Sequence, residues 1–180
     1  METRVKQNQI ETLIALCLII LGALLRIIPH PANFAPVAAI AIFGGVILPK
    51  RLALITPLMA MILSDAMIGF HSLIWVTWGC YLLIALSSHH WLKKPRPVPI
   101  ALLTVSGSLF FFVATNLAVW QFSGMYMHSA AGLTRCFSLA VPFFRNTFLS
   151  DCIFTSSLFG IYYLALWFSG QHYVIKQIQN

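Results

Sequence analysis

Long apolar stretches, interrupted by prolines and basic residues, constrain this chain more than any other feature of its sequence. A spanning helix needs about 20 apolar residues, and six stretches approach that length: residues 12–28, 35–48, 52–70, 73–88, 100–121 and 147–168. Only 8% of the residues are charged, against about 25% in a soluble domain. Unpaired backbone groups are not tolerated in hydrocarbon, and no stretch alternates like a barrel strand. We therefore expect an all-α membrane protein, a bundle of six transmembrane helices in one domain over residues 1–180.

The connections between the stretches carry prolines, which lack the amide hydrogen and end helices. The longest connection, residues 122–146, mixes Gly, Tyr, Met and Ser and ends in an apolar run. Loops of this length often carry function. We predict that it forms either a lid or an interfacial helix.

The distribution of basic residues predicts which side of the bundle faces the cytoplasm. With both termini cytoplasmic, eight lie inside and three outside; the inner set is Arg4, Lys6, Lys50, Arg51, Lys93, Lys94, Arg96 and Lys176, and the outer set is Arg26, Arg135 and Arg145. Membrane proteins keep Lys and Arg on the cytoplasmic side. We predict a multi-pass protein of the inner, cytoplasmic membrane. The net charge of +7 comes from basic residues that lie between apolar runs and do not form one basic surface. We therefore expect no nucleic-acid partner.

Polar residues of antiparallel helices are expected to meet near the outer face, while the inner halves hold almost none. A few convergent polar groups within apolar walls are typical of a small-molecule site. The predicted ligand-binding residues are Arg26, His30, Asn33, Asp65, Asn116, Trp120, Arg145 and Asp151. In this hypothesis arginine holds an anionic group, aspartate a cationic or donor group, and tryptophan a flat ring.

A purely structural interpretation of these residues stays open. Asp65 could pair with Arg26, and Asp151 with Arg145, only to neutralise buried charge. Asn116 could make a bond between helices.

The second stretch is rich in small residues, which let helix backbones approach closely in lipid. Ala35 and Ala39, and likewise Ala41 and Gly45, are four residues apart. This surface is predicted to pack within the chain or to dock against another membrane protein.

Sequence motifs for catalysis and for cofactors are missing. The histidines form no HxxxH or HExxH pattern, so we predict neither a metal nor a cofactor. No GxxxxGKS/T loop or GxSxG nucleophile occurs, and the chain is not expected to be an enzyme. The alternative is an intramembrane enzyme acting on a lipid-linked substrate, with Asp65 or Asp151 as acid/base and His30 nearby. A structural accessory subunit is a further alternative.

Four motifs resemble those of an uncharacterised family of small bacterial integral membrane proteins. They are Arg26-Ile-Ile-Pro-His-Pro-Ala-Asn-Phe-Ala-Pro36, Leu63-Ser-Asp-Ala-Met-Ile-Gly-Phe-His71, Thr115-Asn-Leu-Ala-Val-Trp120 and Ala140-Val-Pro-Phe-Phe-Arg-Asn-Thr-Phe-Leu-Ser-Asp151. That family is similar to the substrate-binding S components of energy-coupling factor transporters. The resemblance implies a six-helix subunit that captures vitamins or similar small molecules from outside. It also implies a transmembrane coupling subunit and ATPases as partners.

Overall fold

A computed structural model describes residues 2–170, with side chains from Arg4 onward. Within this range the chain forms six α-helices: α1 (Glu2–Ile27), α2 (Val37–Ile47), α3 (Lys50–Ile68), α4 (Ile74–Trp91), α5 (Pro97–Phe122) and α6 (Ala130–Phe168). The predicted all-α fold and six-helix bundle are confirmed for these residues. Lys176, which entered the charge count, lies outside the described residues.

Helix α2 is the centre of the bundle. Every residue from Val37 to Gly45 is buried, and α2 contacts each of the other helices within residues 2–170. The remaining helices follow one another around it, α1 against α3, α3 against α4, α4 against α5 and α5 against α6. With 11 residues, α2 is about 17 Å long, shorter than the hydrocarbon core of about 30 Å.

The small residues of α2 pack inside the chain, which is the first of the two predicted alternatives. Ala39 and Ala41 are fully buried. A Cβ atom on Gly45 would lie 2.4 Å from Ser88 Cβ and 2.7 Å from the Ala85 carbonyl oxygen of α4. Ala39, Ala41 and Gly45 are therefore covered by the protein's own helices, whereas Ala35 precedes α2 and is half-buried. Small residues at the bundle centre allow close contact between helices, and docking of this face to another protein stays a prediction.

Helix α6 begins much earlier than expected. Its 39 residues start at Ala130 rather than near residue 147, so the predicted lid over residues 122–146 is wrong and most of that segment is helical. The Ser129 hydroxyl caps the helix by accepting a hydrogen bond from the Gly132 amide at 3.2 Å, which satisfies one of the free amides at a helix start. At about 58 Å, α6 is longer than a bilayer of about 40–45 Å.

Membrane insertion follows from helix length and composition. Four helices, α1, α3, α5 and α6, are long and apolar enough to cross a bilayer. Large apolar side chains remain exposed on them, including Ile20, Leu102 and Ile161. A water-soluble protein would not present so much apolar surface, whereas lipid covers it without cost.

Contacts between helix ends show how the loops are grouped. Arg26 at the end of α1 meets Asp65 near the end of α3. At the opposite end, the His89 ring lies 3.1 Å from the Gly45 carbonyl, and the Tyr163 hydroxyl donates to the Pro95 carbonyl. The end containing Arg26 holds the candidate site.

Candidate functional site

A polar cavity of about 180 Å³ lies between the helices at the Arg26 end of the bundle. Residues from every helix except α2, together with three loop residues and Ala35 before α2, surround it: Arg26, His30, Asn33, Ala35, Met61, His71, Thr77, Tyr81, Phe111, Thr147 and Asp151. His30 and His71 are exposed. The cavity is therefore open to the end of the bundle where these two loops lie.

The loop between α1 and α2 lines part of the cavity and is hydrogen-bonded to α6. The Asn146 side-chain amide donates to the Ala32 carbonyl at 3.0 Å, and the Ser150 hydroxyl donates to the Ala35 carbonyl at 2.9 Å. Asn33 adopts a left-handed conformation with φ of 62°, which asparagine tolerates better than most residues. These bonds hold the loop against α6.

Arg26 and Asp65 form a complete ion pair at one side of the cavity. An Arg26 Nη2 atom lies 2.7 Å from Asp65 Oδ1, with side-chain exposures of 17% and 1%. Asp65 Oδ2 accepts a hydrogen bond of 2.8 Å from the Trp78 indole. The other guanidinium nitrogen, Nη1, donates to the Ser64 hydroxyl at 2.5 Å and reaches the Met61 carbonyl at 3.5 Å. Both charges are thus neutralised and hydrogen-bonded, as buried ions require.

Asp151 is buried without a cationic partner. Its side chain is 2% exposed, and Oδ2 accepts a hydrogen bond of 2.5 Å from Ser108 on α5. Within residues 4–170, Asp151 has no salt bridge and no second hydrogen-bond donor. Asp151 lines the cavity, and its other oxygen, Oδ1, accepts no hydrogen bond from the described residues.

Because α6 starts at Ala130, Asp151 lies far from the start of its helix, whereas the predicted span began only four residues before it. Asp151 lies about 32 Å along α6 from Ala130, and its partner Ser108 lies about 17 Å along α5. The predicted alternative of an Asp151–Arg145 pair is not formed. Six residues apart on one helix, the two side chains point about 120° away from each other, and Arg145 is exposed.

A second cavity of about 220 Å³ adjoins the first, and four phenylalanines are among its lining residues; we call it the aromatic cavity. The two cavities share four lining residues, Asn33, Thr77, Phe111 and Thr147. Its remaining walls come from α5 and α6: Phe112, Thr115, Asn116, Val119, Ala140, Phe143 and Phe144. The Phe112 and Phe144 rings contact each other at a centroid distance of 4.8 Å. The paired cavities thus offer a polar half and an apolar half.

The structure brings five of the eight predicted binding residues to these cavities. Arg26, His30, Asn33 and Asp151 line the polar cavity, and Asn33 and Asn116 line the aromatic one. The Asn116 side chain also donates to the Phe112 carbonyl at 2.7 Å, which is a bond within its own helix.

Three predicted residues lie elsewhere. Asp65 is enclosed by Arg26 and Trp78. Trp120 donates to the Met127 carbonyl at 3.0 Å and lines an open apolar groove between α4 and α5. Arg145 is exposed and lines neither cavity.

Several cavity residues were not predicted from sequence. They are His71, Thr77, Tyr81, Phe111 and Thr147, together with Ser108 behind Asp151. Thr77 and Tyr81 are four residues apart on α4 and share a face, which is a usable signal. The Tyr81 ring stacks on Phe111 at 5.0 Å. Ser108 offered no comparable signal, because a serine inside a span is often bonded to its own helix.

The site has no arrangement typical of a metal centre. Among the described residues, no three His, Cys, Asp or Glu side chains are grouped closely enough to hold a metal ion. The cavity groups instead consist of hydrogen-bond donors, hydrogen-bond acceptors and aromatic rings.

Comparison with known proteins identifies the family of the chain. No curated protein and no solved structure matches it. A family model with the description "Family of unknown function (DUF6580)" matches residues 6–174. The chain, through nearly its whole length, therefore belongs to this family of unknown function.

Proposed function

We propose that this membrane protein captures a small molecule in the polar cavity and serves as the substrate-binding subunit of an importer. The observation that carries the proposal is the Asp151 carboxylate, which lacks a cationic partner among the described residues and faces a cavity. Burying an ionisable group inside a membrane costs several kcal/mol. A protein keeps such a group where a ligand or solvent completes its interactions.

The size of the site agrees with binding of a small solute. The polar and aromatic cavities, of 180 and 220 Å³, together fall within the range of roughly 300–1,000 Å³ that is typical of ligand sites. His30 and His71 border the opening, so a solute reaches Asp151 past two imidazoles.

The proposed orientation directs this opening away from the cytoplasm. Lys50 and Arg51 are the first two residues of α3, and Lys93, Lys94 and Arg96 lie in the connection between α4 and α5. These basic residues lie at the bundle end opposite the cavity. Because Lys and Arg accumulate on the cytoplasmic side, capture would occur from outside, with both termini cytoplasmic.

The proposed partners are a transmembrane coupling subunit and ATPases, as implied by the resemblance to importer S components. The small-residue face of α2 is enclosed, so a coupling subunit would contact the outer helices instead. Helix α1 packs mainly on α3 and leaves apolar residues such as Leu13 and Ile20 exposed.

Solute binding can be tested with the purified full-length protein in detergent or nanodiscs. A ligand that binds only the native state raises the melting temperature. We expect a small molecule to copurify from native membranes, identifiable by mass spectrometry, and to raise the melting temperature when it is added back.

A matched pair of variants locates the binding in the cavity. Thr147 lines both cavities and is 7% exposed, so Thr147→Phe should fill the junction and abolish the shift. Thr134→Phe, at an exposed position of the same helix, should leave the shift unchanged. Thr77→Phe provides a second filling variant if Thr147→Phe does not fold. Equal shifts in the cavity-filling and control variants would exclude this site.

An enzymatic function is the second candidate. His30, His71 and Asp151 line one cavity, and imidazoles with a carboxylate can exchange protons with a substrate. Incubation of the purified protein with lipid extracts tests this directly. Product formation that is lost in Asp151→Asn would favour an enzyme over a capture subunit.

A further inference from the structure

The polar cavity is lined by one carboxyl group, that of Asp151, which has no cationic partner among the described residues. Arg26 is neutralised by Asp65 at 2.7 Å, and its remaining contacts are a hydroxyl and a carbonyl of α3. Asp151 adds a carboxylate for which the described residues offer a single hydroxyl, that of Ser108. The cavity therefore contains a carboxyl group without a cationic partner among the described residues, and its arginine is not available for an anionic ligand.

The other titratable groups around the cavity do not provide a close cationic partner for Asp151. Tyr81 stacks on Phe111, and its hydroxyl has no hydrogen-bond partner among the side chains from residue 4 to residue 170. His30 and His71 are exposed at the opening, and neither is within 4.0 Å of the Asp151 carboxylate, the limit for an ion pair. A positive group next to Asp151 would thus have to come from the ligand.

The lining of the adjoining aromatic cavity indicates which other chemical group the ligand carries. Phe112, Phe143 and Phe144 line it, and Phe112 is held by ring contacts with Phe137 and Phe144 at 5.5 and 4.8 Å. Aromatic walls bind flat apolar rings through stacked and edge contacts. With 220 Å³, the aromatic cavity exceeds the roughly 150 Å³ that accommodates benzene.

We propose that the ligand is a small organic monocation, a positively charged nitrogen linked by a short chain to a flat apolar ring. The nitrogen lies in the polar cavity and donates to Asp151 Oδ1, while the ring enters the aromatic cavity. Asn33, Thr77 and Thr147 surround the link, because they line both cavities. This assignment of a ligand class rests on the proposed capture function.

The test compares probes of one shape and different charge. Purified full-length protein in nanodiscs is titrated with a panel of primary and secondary arylalkyl amines, headed by 2-phenylethylamine. The neutral 2-phenylethanol and the anionic 3-phenylpropionate serve as isosteres. We expect amines to raise the melting temperature and to bind in calorimetry, and both isosteres to bind at least about tenfold more weakly.

Two variants assign the two halves of the ligand. Asp151→Asn should weaken amine binding about ten- to a hundredfold, whereas Glu11→Gln, a carboxylate outside the cavity on α1, should leave it unchanged. Phe144→Ala should weaken binding of 2-phenylethylamine by up to about tenfold and leave binding of ethylamine as it is.

The outcomes separate the ligand class from the capture function. Full amine affinity in Asp151→Asn, or equal affinity for 2-phenylethanol, overturns the cation assignment. If anionic or neutral solutes bind instead, and Thr147→Phe abolishes that binding, the cation class is wrong while the capture function stands. If neither the amine panel nor a broad solute panel binds, both proposals fail.

Discussion

Two aspartates are buried inside the helices of this protein, and their surroundings differ in one essential respect. Asp65 is matched by Arg26 and bonded to Trp78, so that both of its oxygens are occupied. Asp151 has Ser108 on one oxygen and a cavity beside the other. The first carboxylate thus connects α1, α3 and α4, whereas the second is the group on which the proposed capture function rests.

The largest effect is expected from breaking the complete ion pair. Asp65→Asn leaves the Arg26 charge in a site where its side chain is 17% exposed, which should lower the free energy of unfolding by about 3 kcal/mol. Equilibrium unfolding in mixed micelles, followed by circular dichroism, measures the loss. The double variant Arg26→Gln/Asp65→Asn should regain more than half of it. A loss below about 1 kcal/mol for the single variant would show that the pair contributes little.

Removing the one donor of Asp151 should have a smaller effect. Ser108→Ala deprives a buried carboxylate of its hydrogen bond, at a cost of about 1–2 kcal/mol in unfolding free energy. Ser106→Ala is the matched control, since this serine is exposed on the same helix. If both variants unfold alike, the bond between Ser108 and Asp151 is not significant for stability.

Loss of the indole bond to Asp65 should cost about 1 kcal/mol. Trp78→Phe removes the donor and keeps an aromatic ring in place, whereas Trp75→Phe changes a 58% exposed side chain and should be neutral. Chemical unfolding of the two variants under identical conditions measures the difference. A larger loss for Trp75→Phe would contradict the account of the Asp65 cluster.

The smallest effect, and the sharpest contrast with Asp65, is expected at Asp151 itself. Asp151→Asn removes a charge without a cationic partner and keeps the volume, so the unfolding free energy should change by less than about 1 kcal/mol or should rise. Ligand binding should nevertheless be lost. A destabilisation as large as that of Asp65→Asn would mean that Asp151 is a structural residue, which would remove the main support for the capture function.

Much of the fold could be predicted from the sequence because apolar length alone decides whether a segment spans a membrane. Apart from the last, the predicted spans agree with the observed helices. Most of their ends differ from the helix ends by no more than a few residues. The first helix begins ten residues early, at Glu2, in a polar segment. The last begins at Ala130 because residues 130–146 remain helical, which hydropathy does not reveal in a stretch containing Pro142 and Arg145.

The candidate site was predictable only in part. Arg26 and Asp65 end two helices that run in the same direction, so their proximity follows from the order of the spans. The position of Asp151 along its helix depends on where α6 begins, and its neighbour Ser108 is 43 residues away in sequence. Neither is encoded in the composition of any single stretch.

The sequence by itself determined that this chain is a helical membrane protein with polar groups concentrated toward one end. A chain with so few charged residues and such long apolar runs can adopt few other folds. Only the tertiary structure decided which carboxylate is neutralised and which faces a cavity. The physical reason is that an ion pair depends on distances of a few ångströms between helices. Such distances are set by packing around α2 rather than by any local pattern of residues.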